Sequence, residues 1–215
     1  EETTFVLVQR LTRELDVPVL AMGGIGLHTA AACFAAGCEG IVLDSQVLLA
    51  KESPLPEHVK DEIRIMDGSE TVTIGNRDLG YFRCFSKGRL TREVERLQER
   101  ASLVASDSGD SPTRWREAGA AAASWGQLEE SAWPVGQDAA FAASLARRYV
   151  TVGGIVNAIR DSVRDHMTVA ASLRPLAADS PLAKSHGTTY PIVQGAMTRV
   201  SDRASFAEEV AEGGA

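Results

Sequence analysis

Apolar positions in the first fifty residues change period twice. Phe5, Val8, Leu11 and Leu15 recur at helical spacing and predict a helix over 3–14. Val17 to Met22 and Gly40 to Leu43 are apolar almost throughout, which predicts two strands buried on both faces. Between them lie Gly23-Gly24-Ile25-Gly26 and an alanine-rich helix from His28 to Ala36. Helix, strand, helix and strand at this short spacing point to an α/β fold with a parallel sheet or barrel.

Further along, Ser45 to Lys51 reads as a short helix, Ser53-Pro54-Leu55-Pro56 as a stop, and Glu57 to Met66 as another helix. From Glu70 the period becomes two. Thr71 to Ile74 and Tyr81 to Phe85 flank a Gly-Asn-Arg-Asp-Leu-Gly loop, which predicts a small β-hairpin. Arg89 to Val104 is charged and helical, Ala105 to Pro112 reads as an exposed loop, and alanine-rich helical sequence runs through Ser124. Asp138 is placed to cap a helix ending at Arg148, and Val152, Ile155, Val156, Ile159 and Val163 stripe one more helix. Leu173 to Thr189, with Pro175, Pro181 and Gly187, reads as a connector. Tyr190 to Gln194 predicts a short strand, and Ser201 or Asp202 a cap for a last helix with Phe206 and Val210 facing inward.

At ~150 residues per domain, 215 residues allow one large domain or two small pieces. A 44% hydrophobic and 24% charged composition excludes disorder throughout. With 22 Lys and Arg against 29 Asp and Glu, a net charge of -7 and no basic block, nothing marks a nucleic-acid or anionic membrane surface. Val17 to Cys38 carries no formal charge over a length that could span a membrane, but Pro18 and the glycine run divide it, and no signal peptide is present. Cys33, Cys38 and Cys84 lack C-x-x-C spacing and fit reduced packing residues of a cytoplasmic protein. Glu1 opens inside a predicted helix and Gly213-Gly214-Ala215 closes where a strand should begin, so the sequence reads as a piece of a longer protein.

The glycine turn holds the most chemistry. Gly23 and Gly24 sit at the carboxyl end of a strand and before a helix, where bare backbone and the helix dipole favour an anion such as phosphate. Tight turn geometry alone would also explain the glycines. One ligand reading is a dinucleotide fold binding NAD or FAD: Gly24-x-Gly26-x-x-Thr29 approximates G-x-G-x-x-G, and Asp44 ends the next strand as a ribose acceptor would. Against it, Thr29 stands at the third glycine position and a helix precedes the first strand.

The other reading is a flavin barrel, in which the turns after the last two strands bind the FMN phosphate. Val17-Pro18-Val19-Leu20-Ala21-Met22-Gly23-Gly24-Ile25, then Ala35-Ala36-Gly37-Cys38-Glu39-Gly40-Ile41-Val42-Leu43-Asp44-Ser45 and Leu48-Leu49-Ala50, resembles the end of a nitronate monooxygenase, formerly 2-nitropropane dioxygenase. Tyr190-Pro191-Ile192-Val193-Gln194-Gly195-Ala196-Met197 with Val200-Ser201 resembles the first strand of the same family, and Gly136-Gln137 is similar to a late Gly-Gln in it. This inverted order implies tandem barrels, as in polyketide-synthase-like multienzymes. The implied fold is incomplete TIM-barrel pieces: 1–53 the last strands of a first barrel, 54–150 a helical extension with the hairpin, 151–187 a helix and connector, and 188–215 the start of a second barrel.

By the same resemblance Gly23 and Gly24 would donate N–H groups to the FMN phosphate, Ser45 would donate from the next turn, and Ala196 and Met197 would lie against a second flavin. Asp44 stands where the family has glycine, and a carboxylate beside a phosphate dianion is repulsive. The family's histidine base comes from a central segment with no counterpart here, so no catalytic residue is assigned. The implied function is an FMN-dependent oxidoreductase acting on nitronates or a related small molecule. Rivals are an enoyl reductase acting on an acyl thioester, an NAD or FAD enzyme, and a non-catalytic docking segment, each joined to other domains of the parent.

Remaining candidates read as structural. His28 opens a helix, His58 and His166 lie near or on helices, and His186 lies in the connector. Trp115, Trp125 and Trp133 suit core or interface gaps, no cluster has metal-ligand spacing, and no G-x-S-x-G elbow is present.

Overall fold

In the computed structural model, which describes residues 3–87, 91–105 and 111–215, the opening alternation forms as predicted. α1 (Thr4–Glu14) leads to β1 (Leu20–Met22), α2 (Thr29–Ala35) and β2 (Gly40–Val42), with β1 and β2 parallel and Ala21 opposite Ile41. α1 turns Val8 inward, and Val8, Ala21, Ile25, Cys33 and Ile155 belong to one apolar core.

One expectation fails at β1. Ala21 is 2% exposed, but Leu20 and Met22 are 60% and 55% exposed, so the strand is buried on a single face. In a closed barrel one strand face meets the helices and the other fills the axis. Here the core collects on the Ala21 side of a two-stranded sheet, and Leu20 and Met22 face an open cleft instead of a packed layer.

Beyond β2 the chain makes a single turn of 3-10 helix at Ser45–Val47, then α3 (Glu57–Arg64). The hairpin forms from β3 (Thr71–Asn76) and β4 (Gly80–Phe85), antiparallel, with Ile74 opposite Phe82. Asn76 Oδ1 shapes its tip by accepting from the Asp78 and Leu79 N–H groups. α4 (Arg92–Ala105) and α5 (Ser111–Ala122) cover the hairpin, with Ile74, Cys84, Val94, Leu97 and Trp115 in a second core. The start of the predicted 89–104 helix and most of the predicted 105–112 loop lie outside the described residues; Ser111 and Pro112 are already helical. A third core joins α3 to Phe85, Trp133 and Val135. Trp133 stacks 5.4 Å from Phe85 and donates its indole N–H to Gly126 O at 3.0 Å, which confirms its packing role.

α6 (Ala142–Tyr149) and α7 (Val152–Leu173) follow, and the predicted stripe on α7 places Ile155 and Ile159 in the first core. The chain divides into two compact units, one ending at Arg164 and the other beginning at Asp165. In the second unit the predicted connector contains α8 (Pro181–His186), capped by Ser180 Oγ accepting from the Ala183 N–H. α9 (Ala204–Glu212) half-buries Phe206 and Val210, but Ser201 does not cap it; its hydroxyl accepts from the Met197 N–H at 2.7 Å. The strand expected at Tyr190 to Gln194 does not form. Tyr190 N–H donates to Gly214 O, and among the described residues no neighbouring strand offers the ladder that an extended segment needs.

All three cysteines are free and buried, and burial pushes the Cys84 thiol up to about 11, so the expected packing role stands. Among the described residues there is no cluster of potential metal ligands, and no helix is long and apolar enough to cross a membrane.

Candidate functional site

β1 ends at Met22, and the chain reverses through Gly23, Gly24 and Ile25 before α2. Gly23 and Gly24 hold φ of +91° and +70°, and a Cβ built on Gly24 would meet nothing within 4 Å. Side chains rarely enter that region of φ, so the turn is bare backbone beside open space. Its shape is fixed by hydroxyls. Thr4 Oγ1 donates to Gly23 O at 2.9 Å, while Thr29 Oγ1 donates to Gly24 O at 2.6 Å and accepts from the Gly26 N–H at 2.8 Å. Thr29, at the third glycine position of the dinucleotide pattern, therefore uses the Gly26 N–H inside the turn. α2 has seven residues and starts four positions after Ile25, so the turn itself, rather than a helix end, supplies the donors.

The Gly24 and Ile25 N–H groups meet Asp138. Gly24 N–H donates to Asp138 Oδ1 at 2.7 Å, and Ile25 N–H donates to the same carboxylate. Asp138 lies in a 3-10 turn, Gln137–Phe141, and does not cap α6 as its position in sequence predicts; Phe141 occupies that cap. Its second oxygen accepts from Gln46 Nε2 at 2.7 Å. Burial raises the Asp138 pKa, the nearby Asp44 charge adds to the rise, and the two N–H bonds and Arg83 oppose it.

Gln46 ties the two strand ends together. It is 1% exposed, its Nε2 also donates to Ile25 O at 3.0 Å, and its Oε1 accepts from the Asp44 N–H at 2.8 Å. Beside it, Ser45 is equally buried; its hydroxyl donates to Asp44 Oδ1 at 2.5 Å and accepts from the Gly136 N–H at 2.8 Å. A Cβ at Gly136 would lie 3.1 Å from Ser45 Oγ, so the loop carrying Asp138 packs closely on the second turn and a larger residue would push Ser45 aside by a few tenths of an ångström.

An open cleft of roughly 840 Å³ adjoins the turn. Leu20, Met22, Gly23, Tyr81, Arg83 and Asp138 are among its walls, and Arg83 is the one Lys or Arg among its described lining residues. The hairpin thereby brings a cation to the cleft, and within the hairpin Arg83 Nη1 donates to Thr71 Oγ1 of β3 at 3.1 Å.

Of the residues singled out in the sequence, Gly23, Gly24, Asp44 and Ser45 come together around Gln46 and Asp138. Ala196 and Met197 belong to the second unit, where both are exposed in a segment without strand or helix. Gln46 and Arg83 were missed in the sequence, where their signals were weak. The clue to Gln46 was a lone amide ahead of the apolar Val47-Leu48-Leu49, and Arg83 alternated with core positions on a predicted strand.

Residues 1–160 match the family model of nitronate monooxygenase. The chain belongs to the nitronate monooxygenase family. Among solved structures it is similar to FabK from Thermotoga maritima, at 25% identity and a TM-score of 0.60, with 80% of this chain and 52% of that chain covered. It also matches a mutant of that FabK at 25% identity and a TM-score of 0.53, over 81% of this chain and 50% of the other. The chain thus spans about half the length of these solved relatives. No curated protein sequence matches it. Membership in this family, whose members are flavin-dependent oxidoreductases, identifies β1 and β2 with their helices as part of a TIM-type barrel.

A flavin phosphate fits one half of this site and not the other. The bare glycine turn and its outward N–H groups suit an anion. As folded, however, those donors already serve the Asp138 carboxylate, and the Ser45 hydroxyl serves Asp44. Two carboxylates stand where a phosphate dianion would have to approach.

Proposed function

We propose that this chain supplies the phosphate-end turns of a flavin barrel in an FMN-dependent oxidoreductase that acts on nitronates or a related small substrate. The observation that carries the reading is the Gly23-Gly24-Ile25 turn, which presents two N–H groups to an anion at the carboxyl end of a parallel strand. Family membership supports a flavin, and FMN is the flavin whose phosphate such a turn would hold. When bound, FMN supplies two-electron redox chemistry. This chain's own contribution is to bind and orient, through the turn and the Gln46 clamp that joins it to the second strand end.

Purified at its native length, the protein should show a flavin absorption band, and denaturation should release FMN. A colourless protein that takes up no flavin would overturn the reading. A colourless protein stabilised by NAD or FAD would favour the dinucleotide alternative, which Thr29 already weakens by closing the turn on itself. Parallel assays with a nitronate and an enoyl thioester would then separate the two substrate classes.

A further inference from the structure

We propose that Asp138 is the resident anion of the glycine turn, and that a phosphate-bearing ligand reaches Gly24 and Ile25 only by displacing it. The contact is independent of any ligand; naming FMN as the competing ligand rests on the flavin-barrel reading above.

Three observations carry this. First, the carboxylate occupies the donors themselves, since Gly24 N–H lies 2.7 Å from Oδ1 and Ile25 N–H is bonded to the same group. Successive outward N–H groups form the concavity that takes one phosphate oxygen, so carboxylate and phosphate compete for the same place. Second, Asp138 is held from behind. Gln46 Nε2 grips its other oxygen at 2.7 Å while bonding Ile25 O, which matches the carboxylate to the turn from both sides. Third, the local charge opposes a second anion. Asp44 and Asp138 both line the cleft and Arg83 is the one cation among its described lining residues. Two carboxylates and a phosphate dianion around one guanidinium leave an excess of negative charge in a partly desolvated place.

Displacement does not require the loop to move. Gly136 fixes the loop against Ser45, so rotation of the Asp138 side chain into the adjoining cleft is the available route. Asp138 would then select against phosphate-bearing ligands while leaving recognition of an uncharged flavin ring untouched.

The test titrates the 215-residue chain and its Asp138→Ala and Asp138→Ser variants with FMN, riboflavin and inorganic phosphate, following the Gly24 and Ile25 amide resonances. The variants should bind FMN about tenfold or more tightly than wild type, as relief of one close like-charge contact implies, with riboflavin affinity unchanged. Inorganic phosphate should shift the two amides in the variants and not in wild type. Equal phosphate or FMN affinity in wild type and variants would overturn the proposal, as would a vacated turn that ignores phosphate. If phosphate enters the vacated turn but no flavin binds, the resident-anion proposal stands and the flavin-barrel reading falls. Should both variants fail to fold, wild type still decides: the two amides must follow the titration of the Asp138 carboxyl, and their failure to do so would count against the contact.

Discussion

Gln46 Nε2 and Asp138 Oδ2 lie 2.7 Å apart across 92 residues of sequence, and through this bond the end of β2 holds the loop that closes on the end of β1. Gln46 is buried and makes all its bonds inside the protein, to Ile25 O, the Asp44 N–H and Asp138. Gln46→Ala would orphan a buried carbonyl and an N–H and would loosen a half-buried carboxylate. The expected loss is about 2–4 kcal/mol of stability in urea unfolding, from unsatisfied groups at about 1–3 kcal/mol each. A loss below about 0.5 kcal/mol, the range of neutral surface changes, would show that water replaces the clamp at little cost.

Asp138 also sets a pH dependence. Its folded pKa is raised above its ordinary 3.8, chiefly by burial, with Asp44 adding to the rise and Arg83 opposing it. A carboxyl shifted upward binds its proton more tightly in the folded state, so its contribution to stability is full below 3.8 and is lost as pH climbs through the raised value. Wild-type stability measured relative to Asp138→Ala should therefore fall as pH rises from about 3.8, then flatten. A difference that instead grows with pH over that window would mean that the N–H bonds from Gly24 and Ile25 outweigh burial.

Much of this fold was legible because its elements follow local patterns. The period-two run around Gly75 predicted both hairpin strands, and the stripe from Val152 to Val163 predicted α7. What failed depended on distant partners. Continuous apolar sequence predicted two-sided burial for β1, but burial of Leu20 and Met22 requires a facing layer that local sequence does not report. Tyr190 to Gln194 had strand composition and no partner strand. Asp138 had the residue type and position of a helix cap, and its actual donor, Gly24, lies 114 residues away. The glycine turn itself was legible in the sequence, whereas the distant carboxylate that its N–H groups meet was not.

Val150 supplies a prediction independent of any ligand. It holds φ of +64° and ψ of -55°, with the Thr151 N–H bonded to Tyr149 O, a γ-turn that a β-branched residue adopts only under strain. Its side chain is 52% exposed, so little packing would be lost on removal. Val150→Gly should raise stability by about 1 kcal/mol, the relief of left-handed strain exceeding the added chain entropy. A lower melting temperature would show that the γ-turn is not what the folded chain maintains.

Gly24 should be indispensable to any anion entering the turn. In the Asp138→Ala background, Gly24→Val forces a branched side chain to φ +70° and fills the open space over the N–H groups. The FMN affinity gained by removing Asp138 should vanish, as read by fluorescence titration, while Gly213→Val, in the second unit, should leave it intact. Unchanged FMN binding in the double variant would place the phosphate elsewhere.

Asp44 separates the flavin and dinucleotide readings by the sign of one substitution. Its carboxylate accepts a hydrogen bond from the Ser45 hydroxyl at 2.5 Å, and it adds negative charge beside Asp138. In a flavin barrel, Asp44→Gly should remove repulsion and free the Ser45 hydroxyl to donate, so FMN binds equally well or more tightly. In a dinucleotide fold the same change removes a ribose acceptor and weakens NAD or FAD binding. Ser45 still accepts from the Gly136 N–H, so the loop carrying Asp138 should stay in place and the comparison should report charge rather than collapse. Titrating FMN and NAD into wild type and variant gives the answer, and weaker FMN binding by Asp44→Gly would refute the electrostatic account of this site.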